Sequence, residues 1–446
     1  MILEIIHNLI FEKEKMIKKI YIKNFKSIYK LELEVGRVNL FIGENGSGKS
    51  NLLESLVFVS ASESNKLDNE FLVSRGLRVP EPDLMRSAFN EDDKNKDIFI
   101  KLEDDEYIRE YLLRNDDIEY SSWKVDFDYR AKGERELSLS DLEVDIKKLD
   151  YYMKIQEKIL DLILHEEDLK IKASEEYKKM KGNKINLSKK EDSINKLKDL
   201  MEKIQKISIE ISMLKKEEEN LDRDMSFLYN FIIYSPENSA LRIFEKEKQI
   251  QPLGINGEGL LKLLKVINNY EDKSYIKTII ESLQLFDWFE DITIPSNISS
   301  IEDTVIIKDK YLYREFTQRS ANEGFLFILF YITLIVAKET PKAFAIDNID
   351  ASLNPKLCTK LMIILTDLAR KYDKQIFLTT HNPAILDGID LNDEEQKLFV
   401  VSRNKQGHTR MKEITVESKP KSSDNEPLRL SEAFLRGYIG GLPKGF

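Results

Sequence analysis

The chain has 446 residues, 41 % of them hydrophobic and 33 % charged, with a formal net charge of −10 at pH 7. That length suits two lobes or one large domain with an insertion, and the acidic balance excludes a basic nucleic-acid coat, so any DNA contact must come from a local patch. One cysteine, Cys358, and four histidines, His7, His165, His381 and His408, exclude a disulfide framework and argue against a cysteine- or histidine-built metal centre; a reducing cytoplasm fits.

Met1 to Lys19 is amphipathic and lacks the apolar stretch of a secretory signal. The longest mainly apolar run, Phe325 to Ala337, is too short to cross a bilayer and reads as a buried helix. A soluble cytoplasmic protein is expected. In chain order, rough alternation of apolar and polar residues predicts a strand over Ile17–Ile28, and a second strand follows at Leu31–Val35. Val38–Ile42 is apolar except for Asn39, as a central buried strand is. It runs into Gly43-Glu44-Asn45-Gly46-Ser47-Gly48-Lys49-Ser50, and helical sequence starts at Asn51. A polar stretch containing Ser74-Arg75-Gly76-Leu77-Arg78-Val79-Pro80 precedes strands expected at Asp97–Leu102 and Ser122–Tyr129.

From Ser140 the character changes. Leu142–Met180 has neither Gly nor Pro, and Ile155, Ile159, Leu162, Leu169, Ala173 and Met180 recur at heptad-like spacing. After Gly182-Asn183 a second seam runs through Ile194, Leu197, Met201, Ile204 and Ile211. Two seams and a turn predict an antiparallel helical hairpin with arms roughly 45–60 Å long. Glu166, Glu176 and Ser208 fall on core positions and spoil the pattern. Beyond Tyr234, a helix at Phe325–Lys338, a strand at Ala343–Ile346, a helix at Pro355–Tyr372 and a strand at Gln375–Thr379 imply a parallel, covered sheet. Ser418–Pro427 reads as a polar, mobile loop. Leu428–Phe446 reads equally as a docking tail or as the last strand and turn of the core.

Gly43–Ser50 satisfies G-x-x-x-x-G-K-S between a strand and a helix. The glycines let backbone N–H groups from Asn45 to Gly48 close around phosphate oxygens. Lys49 reaches the β- and γ-phosphates, the Ser50 hydroxyl is a Mg²⁺ ligand, and Asn51 continues the cradle into the helix. Asp347 ends a buried strand, where phosphate-loop ATPases keep the carboxylate of the magnesium shell. A strand-end Asp is otherwise an ordinary turn or cap residue.

A phosphate loop near residue 43, an Asp347-type strand far downstream and a helical hairpin between them resemble the ABC-type heads of SMC proteins, double-strand-break-repair ATPases and the overcoming-lysogenisation-defect (OLD) family. The resemblance covers roughly residues 17–135 and 230–416. It implies an α/β ABC-type ATPase head, a P-loop NTPase, with residues 1–139 as its N-terminal half and 230–446 as its C-terminal half and tail, around a helical insertion at 140–229. ATP and Mg²⁺ are the cofactors it implies. Ala351-Ser352-Leu353-Asn354-Pro355 matches the family's D-loop, and His381 in Thr379-Thr380-His381-Asn382-Pro383 matches the switch histidine that contacts the γ-phosphate. The signature segment falls at Ser320-Ala321-Asn322-Glu323-Gly324. In the family it docks on the nucleotide of a second head, which makes Ser320 and Gly324 nucleotide-binding candidates in a homodimer. Either Ser320 or Asn322 takes the phosphate-facing role, and a plain helix cap is the other reading.

Asn348 stands where most of the family has the Glu that polarises the attacking water. Asn positions a water but cannot take its proton. Asp350 is the nearby substitute, and slow hydrolysis with ATP binding as the working state is expected. No glutamine lies between Leu56 and Tyr107 to form a Q-loop. Arg75, Arg78 and Arg86 are surface charges or reach phosphate or another chain, and the hairpin lysines, Lys178 to Lys190, form a solvated face or touch DNA. The chain ends soon after the head, so a nuclease domain of the OLD kind is not expected. The chain also resembles the stand-alone ATPases of bacterial anti-phage systems, among them the Septu ATPase subunit, which works with an HNH-type nuclease. That implies paired heads controlling a separate effector nuclease or toxin. An SMC-like DNA-maintenance ATPase is the alternative. A transporter subunit is disfavoured by the hairpin and the missing Q-loop.

Overall fold

A computed structural model describes residues 16–79, 81–90, 96–116, 122–132, 228, 230–244, 252–295, 304–420 and 428–442, with helical residues scattered between 154 and 214. The chain divides into two compact units. One is built from residues 15–132 and 227–446, and the other contains the helical residues.

In the first unit, β1 (Lys19–Phe25) and β2 (Ile28–Glu34) form a hairpin in which Phe25 pairs with Ile28. Ile28 therefore opens the second strand instead of closing the first. Asn24 and Lys26 take left-handed backbone, φ 62° and 47°, and turn the chain within the stretch that the rough apolar–polar alternation reads as one strand. β3 (Val38–Gly43) follows, then β4 (Ile98–Glu103), β5 (Tyr107–Arg114) and β6 (Lys124–Ala131). These strands make an antiparallel sheet in the order β2-β1-β4-β5-β6, from which β3 is excluded. β5 is not legible in the sequence because a charged residue sits on its inner face. Arg109 is buried there and donates to Asp104 at 2.7 Å.

Downstream come β7 (Ile233–Tyr234), β8 (Phe289–Thr293), β9 (Ile306–Asp309), β10 (Phe316–Thr317), β11 (Ala343–Ile346), β12 (Gln375–Thr380), β13 (Gln396–Arg403) and β14 (Thr409–Glu413). A six-stranded sheet runs β14-β13-β3-β12-β11-β7, parallel except for the β14 edge. β3, from the N-terminal part of the chain, thus sits between two strands from the C-terminal part. Alternate residues divide between two cores. Leu40, Phe344, Leu378 and Val400 face one, while Phe41, Ala345, Phe377 and Phe399 face the other. Burial on both faces is why these strands read as continuous apolar runs. The polar interruption, Asn39, is satisfied by both backbone groups of Gly36 at 2.8 Å.

The helix Glu323–Val336 is buried on every side from Phe325 onward, which accounts for its lack of an amphipathic stripe. Helices Leu260–Asn268 and Ser274–Leu283 and the small sheet β10-β9-β8 share its core. The helix Pro355–Lys371 starts at its cap Asn354, whose side chain accepts from Leu357 N. In the last segment, of which residues 428–442 are described, a short helix, Leu430–Leu435, stands in place of the expected strand and leads into a turn through Gly437–Gly441. Leu430, Ala433, Phe434 and Ile439 are buried in the main core.

In the second unit, described helical residues lie between 154 and 178 and over 194–211. On the second arm Leu197, Leu200, Ile204, Ile207 and Ile211 are the shielded apolar residues, at alternating three- and four-residue spacing. Met201, placed on the seam by sequence, is 66 % exposed, and Leu200 takes its place. Two of the residues that spoil the heptad pattern satisfy each other: Ser208 Oγ donates to Glu166 at 2.7 Å. The expected Gly182-Asn183 turn, the lysines from Lys179 to Lys190, Glu176 and the stretch 421–427 lie outside the described residues, while Lys178 is helical and exposed.

Candidate functional site

β3 ends at Gly43, and the loop to Gly48 delivers the chain into the helix Lys49–Glu63. Gly48 has φ 107°, and a Cβ there would lie 2.1 Å from Thr409 Oγ1 and 2.8 Å from Ser27 Oγ. Only glycine fits. The two hydroxyls that crowd it brace the loop from outside. Thr409 donates to Ser47 O at 2.9 Å and lies 2.7 Å from Ser27 Oγ, which accepts from Asn51 at 2.6 Å. Arg403, at the end of β13, donates to Gly46 O at 2.8 Å. Ser27, Thr409 and Arg403 lie far from the loop in sequence, and no local pattern singles them out.

The Lys49 ammonium donates to Gly43 O at 2.8 Å and to Glu44 O at 3.1 Å. Burial lowers its pKa to about 8, against the opposing pull of Asp347, Asp350 and Glu44. Ser50 Oγ donates to Asp347 Oδ2 at 3.3 Å, and Thr379 holds the other Asp347 oxygen. A hydroxyl and a carboxylate are hard oxygen donors that suit Mg²⁺, which takes few protein ligands and completes its shell with phosphate and water. Among the described residues no cluster of three or more His, Cys, Asp or Glu offers a self-sufficient metal cage.

Asn45 to Asn51, Asp347, Asn348 and His381 line one cavity of about 430 Å³, together with Arg78 and Arg403. Asn348 holds a left-handed backbone, φ 56°, and its N–H donates to Thr379 Oγ1 at 2.9 Å. Burial, followed by the Lys49 charge, lowers the His381 pKa below its ordinary value, so the imidazole is neutral at pH 7. Asp350 does not line the cavity. It accepts from Thr380 Oγ1 at 2.6 Å and from His381 N at 3.4 Å, which ties it to the end of β12. Gly43 is not among the lining residues either, and its carbonyl accepts from the Lys49 ammonium. Ser320 and Gly324 are not among the lining residues. Ser320 is exposed, and Asn322 is the cap, accepting from Phe325 N at 2.8 Å. Arg242 grips this segment through the carbonyls of Gln318, Arg319 and Ala321 at 2.6–2.8 Å.

Of the three arginines between the first helix and β4, Arg78 reaches the cavity. Its guanidinium and the Lys26 ammonium flank the buried Glu54 carboxylate at 2.7 and 2.5 Å. Arg75 stacks on Phe71, and Arg86 donates to Asn115 O beside Trp123. A second cavity of about 630 Å³ shares Asn51, Arg78 and Arg403 with the first and continues past Lys26, Ser27 and Phe89.

The family described as "AAA domain, putative AbiEii toxin, Type IV TA system" matches residues 38–387, from β3 through the switch segment. The chain belongs to this AAA-domain family. Membership implies nucleotide binding, ordinarily with Mg²⁺. An uncharacterized protein of Methanocaldococcus jannaschii is 41 % identical over 76 residues, covering 16 % of this AAA-domain chain and 35 % of that protein. The DNA replication and repair protein RecF of Listeria welshimeri is 38 % identical over 55 residues, covering 12 % and 15 %. The chain therefore spans about a third or less of the length of these curated relatives. An SMC head solved with the C-winged helix domain of ScpA superposes with a TM-score of 0.50 at 12 % identity, covering 90 % of this chain and 98 % of that one. The fold is that of an SMC-type ABC-ATPase head. No described helix is long and apolar enough to cross a membrane.

The lowered Lys49 pKa sets a pH dependence. Below pH 8 the ammonium is already charged, and a bound phosphate favours that form and raises its pKa. Above pH 8 binding must take up a proton, so affinity is full below pH 8 and falls by up to about tenfold per unit above it. Calorimetry with MgATP from pH 7 to 10, in buffers of different ionisation enthalpy, is expected to show this fall with proton uptake. A flat profile would remove Lys49 protonation from binding.

Proposed function

We propose that the protein is an ATP-binding regulatory ATPase in which ATP pairs two heads, and that pairing controls a separate effector nuclease or toxin in an anti-phage defence system. The observation that carries the reading is the division of the site. The phosphate loop, Asp347, Asn348 and His381 line one cavity, while exposed Ser320 at the start of the signature helix lies outside it. A second copy would bring its Ser320 and Gly324 to the nucleotide. ATP phosphates would lie along Asn45–Ser50 with Mg²⁺ on Ser50 and Asp347, and the nucleoside would extend past Asn51 into the cavity beside Ser27 and Phe89. His381 would meet the γ-phosphate, and Asn348 would orient a water without deprotonating it. The family's toxin–antitoxin description supports a partner effector, and an HNH-type nuclease is the one proposed. Residues 140–229 are proposed as an inserted helical hairpin between residues 1–139 and 230–446 of the head.

Light scattering tests the pairing. The wild type is expected to double in mass with MgATP, and Ser320→Arg, a change at an exposed position, is expected to stay monomeric while still binding ATP. A wild type that binds ATP and stays monomeric would sink the pairing. The RecF matches favour a second reading, an ATPase that clamps DNA between heads and hairpins. ATP-dependent DNA binding that weakens steeply with salt would select it.

A further inference from the structure

Gly437–Leu442 lies beyond the part of the chain that the family match covers, yet it reaches the nucleotide site. Gly441 has φ 84°, and a Cβ on it would stand 2.7 Å from Val400 Cγ1, 2.9 Å from Phe434 Cε2 and 3.7 Å from the Cα of Gly43. Gly43 is the residue whose carbonyl receives the Lys49 ammonium, and its own Cα is pressed from another side: a Cβ there would stand 2.1 Å from Val401 O. The start of the phosphate loop thus lies against β13, and the Gly441 turn comes within ordinary van der Waals reach of Gly43. The other end of the same segment is tied to the switch. Ser431 donates through N and Oγ to Asp387, at 3.0 and 2.6 Å, and Asp387 lies in the 3₁₀ turn Pro383–Gly388 that directly follows His381-Asn382. Between the two anchors Phe434 and Ile439 are buried.

We infer that the segment Leu428–Leu442 is a positioning strap for the nucleotide site, with Gly441 holding Gly43 in place and the Ser431–Asp387 bonds holding the switch turn. Two anchors on one short, core-packed segment set the spacing between the phosphate loop and His381. Gly441 is a positioning residue; it touches no reacting atom. Because nucleotide and strap act on the same loop, each must change the other's free energy by the same amount.

The inference rests on the ATP-binding reading, so its test has a readout that does not need ATP. Gly441→Ala is compared with Gly437→Ala in the full chain. Both residues have positive φ, 84° and 73°, so both variants carry similar backbone strain. A Cβ on Gly437, however, would meet only Leu442 Cδ1, at 3.6 Å, whereas one on Gly441 would press on Val400 and Phe434 beside Gly43. Hydrogen exchange without nucleotide is expected to show faster exchange of the 43–49 amides in Gly441→Ala and not in Gly437→Ala. MgATP affinity is expected to fall about tenfold in Gly441→Ala and to stay within about twofold in Gly437→Ala. Should Gly441→Ala not fold, Ser431→Ala and the wild type carry the test. MgATP should slow exchange at 437–442 together with 43–49, and Ser431→Ala should weaken that link. Equal behaviour of the two glycine variants, or strap amides indifferent to bound ATP, would overturn the inference. A wild type that binds no ATP would overturn the functional reading, while exchange at 43–49 would still judge the strap.

Discussion

Asn348→Glu is expected to raise the rate of ADP formation by about 100-fold or more, the scale on which a positioned carboxylate accelerates proton transfer. Asn348 lines the cavity directly after Asp347, and its backbone is fixed by Thr379 and by the following turn. Its amide can orient a water but has no basic lone pair to accept a proton at neutral pH. The left-handed φ of 56° is one that Asn tolerates better than most residues, so the Glu variant is expected to lose about 1 kcal/mol of stability. Turnover and stability then move in opposite directions, which separates a chemical gain from a general improvement of the protein. The measurement is single-turnover conversion of labelled ATP beside urea unfolding. Unchanged turnover with intact ATP binding would mean that the missing carboxylate does not limit hydrolysis.

Lys49→Ala is expected to weaken MgATP binding by about 100-fold. A charge-assisted hydrogen bond to phosphate, removed from a buried position, accounts for roughly 3 kcal/mol. Lys49 is only 6 % exposed, and its ammonium already sits among the loop carbonyls, while Arg78 and Arg403, the other cations lining the cavity, are bonded to Glu54 and to Gly46 O. Retention of labelled ATP on the purified variant, set against the wild type, measures the effect. Nearly wild-type affinity would mean that Lys49 does not carry the phosphate contact and that ATP is held by other groups. Paired with Asn348→Glu, the result also separates binding from chemistry. Tight ATP without turnover in the wild type, gained turnover in Asn348→Glu and lost binding in Lys49→Ala would describe an ATP-held switch.

Much of the site is legible in the sequence because its determinants are local. The phosphate loop is eight consecutive residues bounded by a strand and a helix, and its glycines are needed for backbone conformations that the segment itself must adopt. Asp347 follows the apolar strand Ala343–Ile346 and His381 follows the strand Gln375–Thr380, and it is their match to the family pattern beside the phosphate loop that singles them out. The helix Glu323–Val336, the parallel strands and the helical arms are legible for the same reason: a run of apolar residues or a regular period survives without knowledge of its partner. Contacts between distant segments are not legible in this way. β3 takes its neighbours from residues 375–380 and 396–403, and only the packed sheet decides that order. Ser27 and Thr409, 382 positions apart, meet across the loop because a hairpin turn and a sheet edge converge there. Arg109 hides a strand, and Glu166 and Ser208 spoil a heptad, until their partners are seen. Asp350 stands two residues after Asn348 in sequence yet accepts from Thr380 and His381, and Gly441 reaches Gly43 from the far end of the chain. Local conformational demands and apolar periodicity are properties of a segment and can be read from it. Hydrogen-bond partners and close approaches are properties of pairs, and only the tertiary structure determines which pairs form.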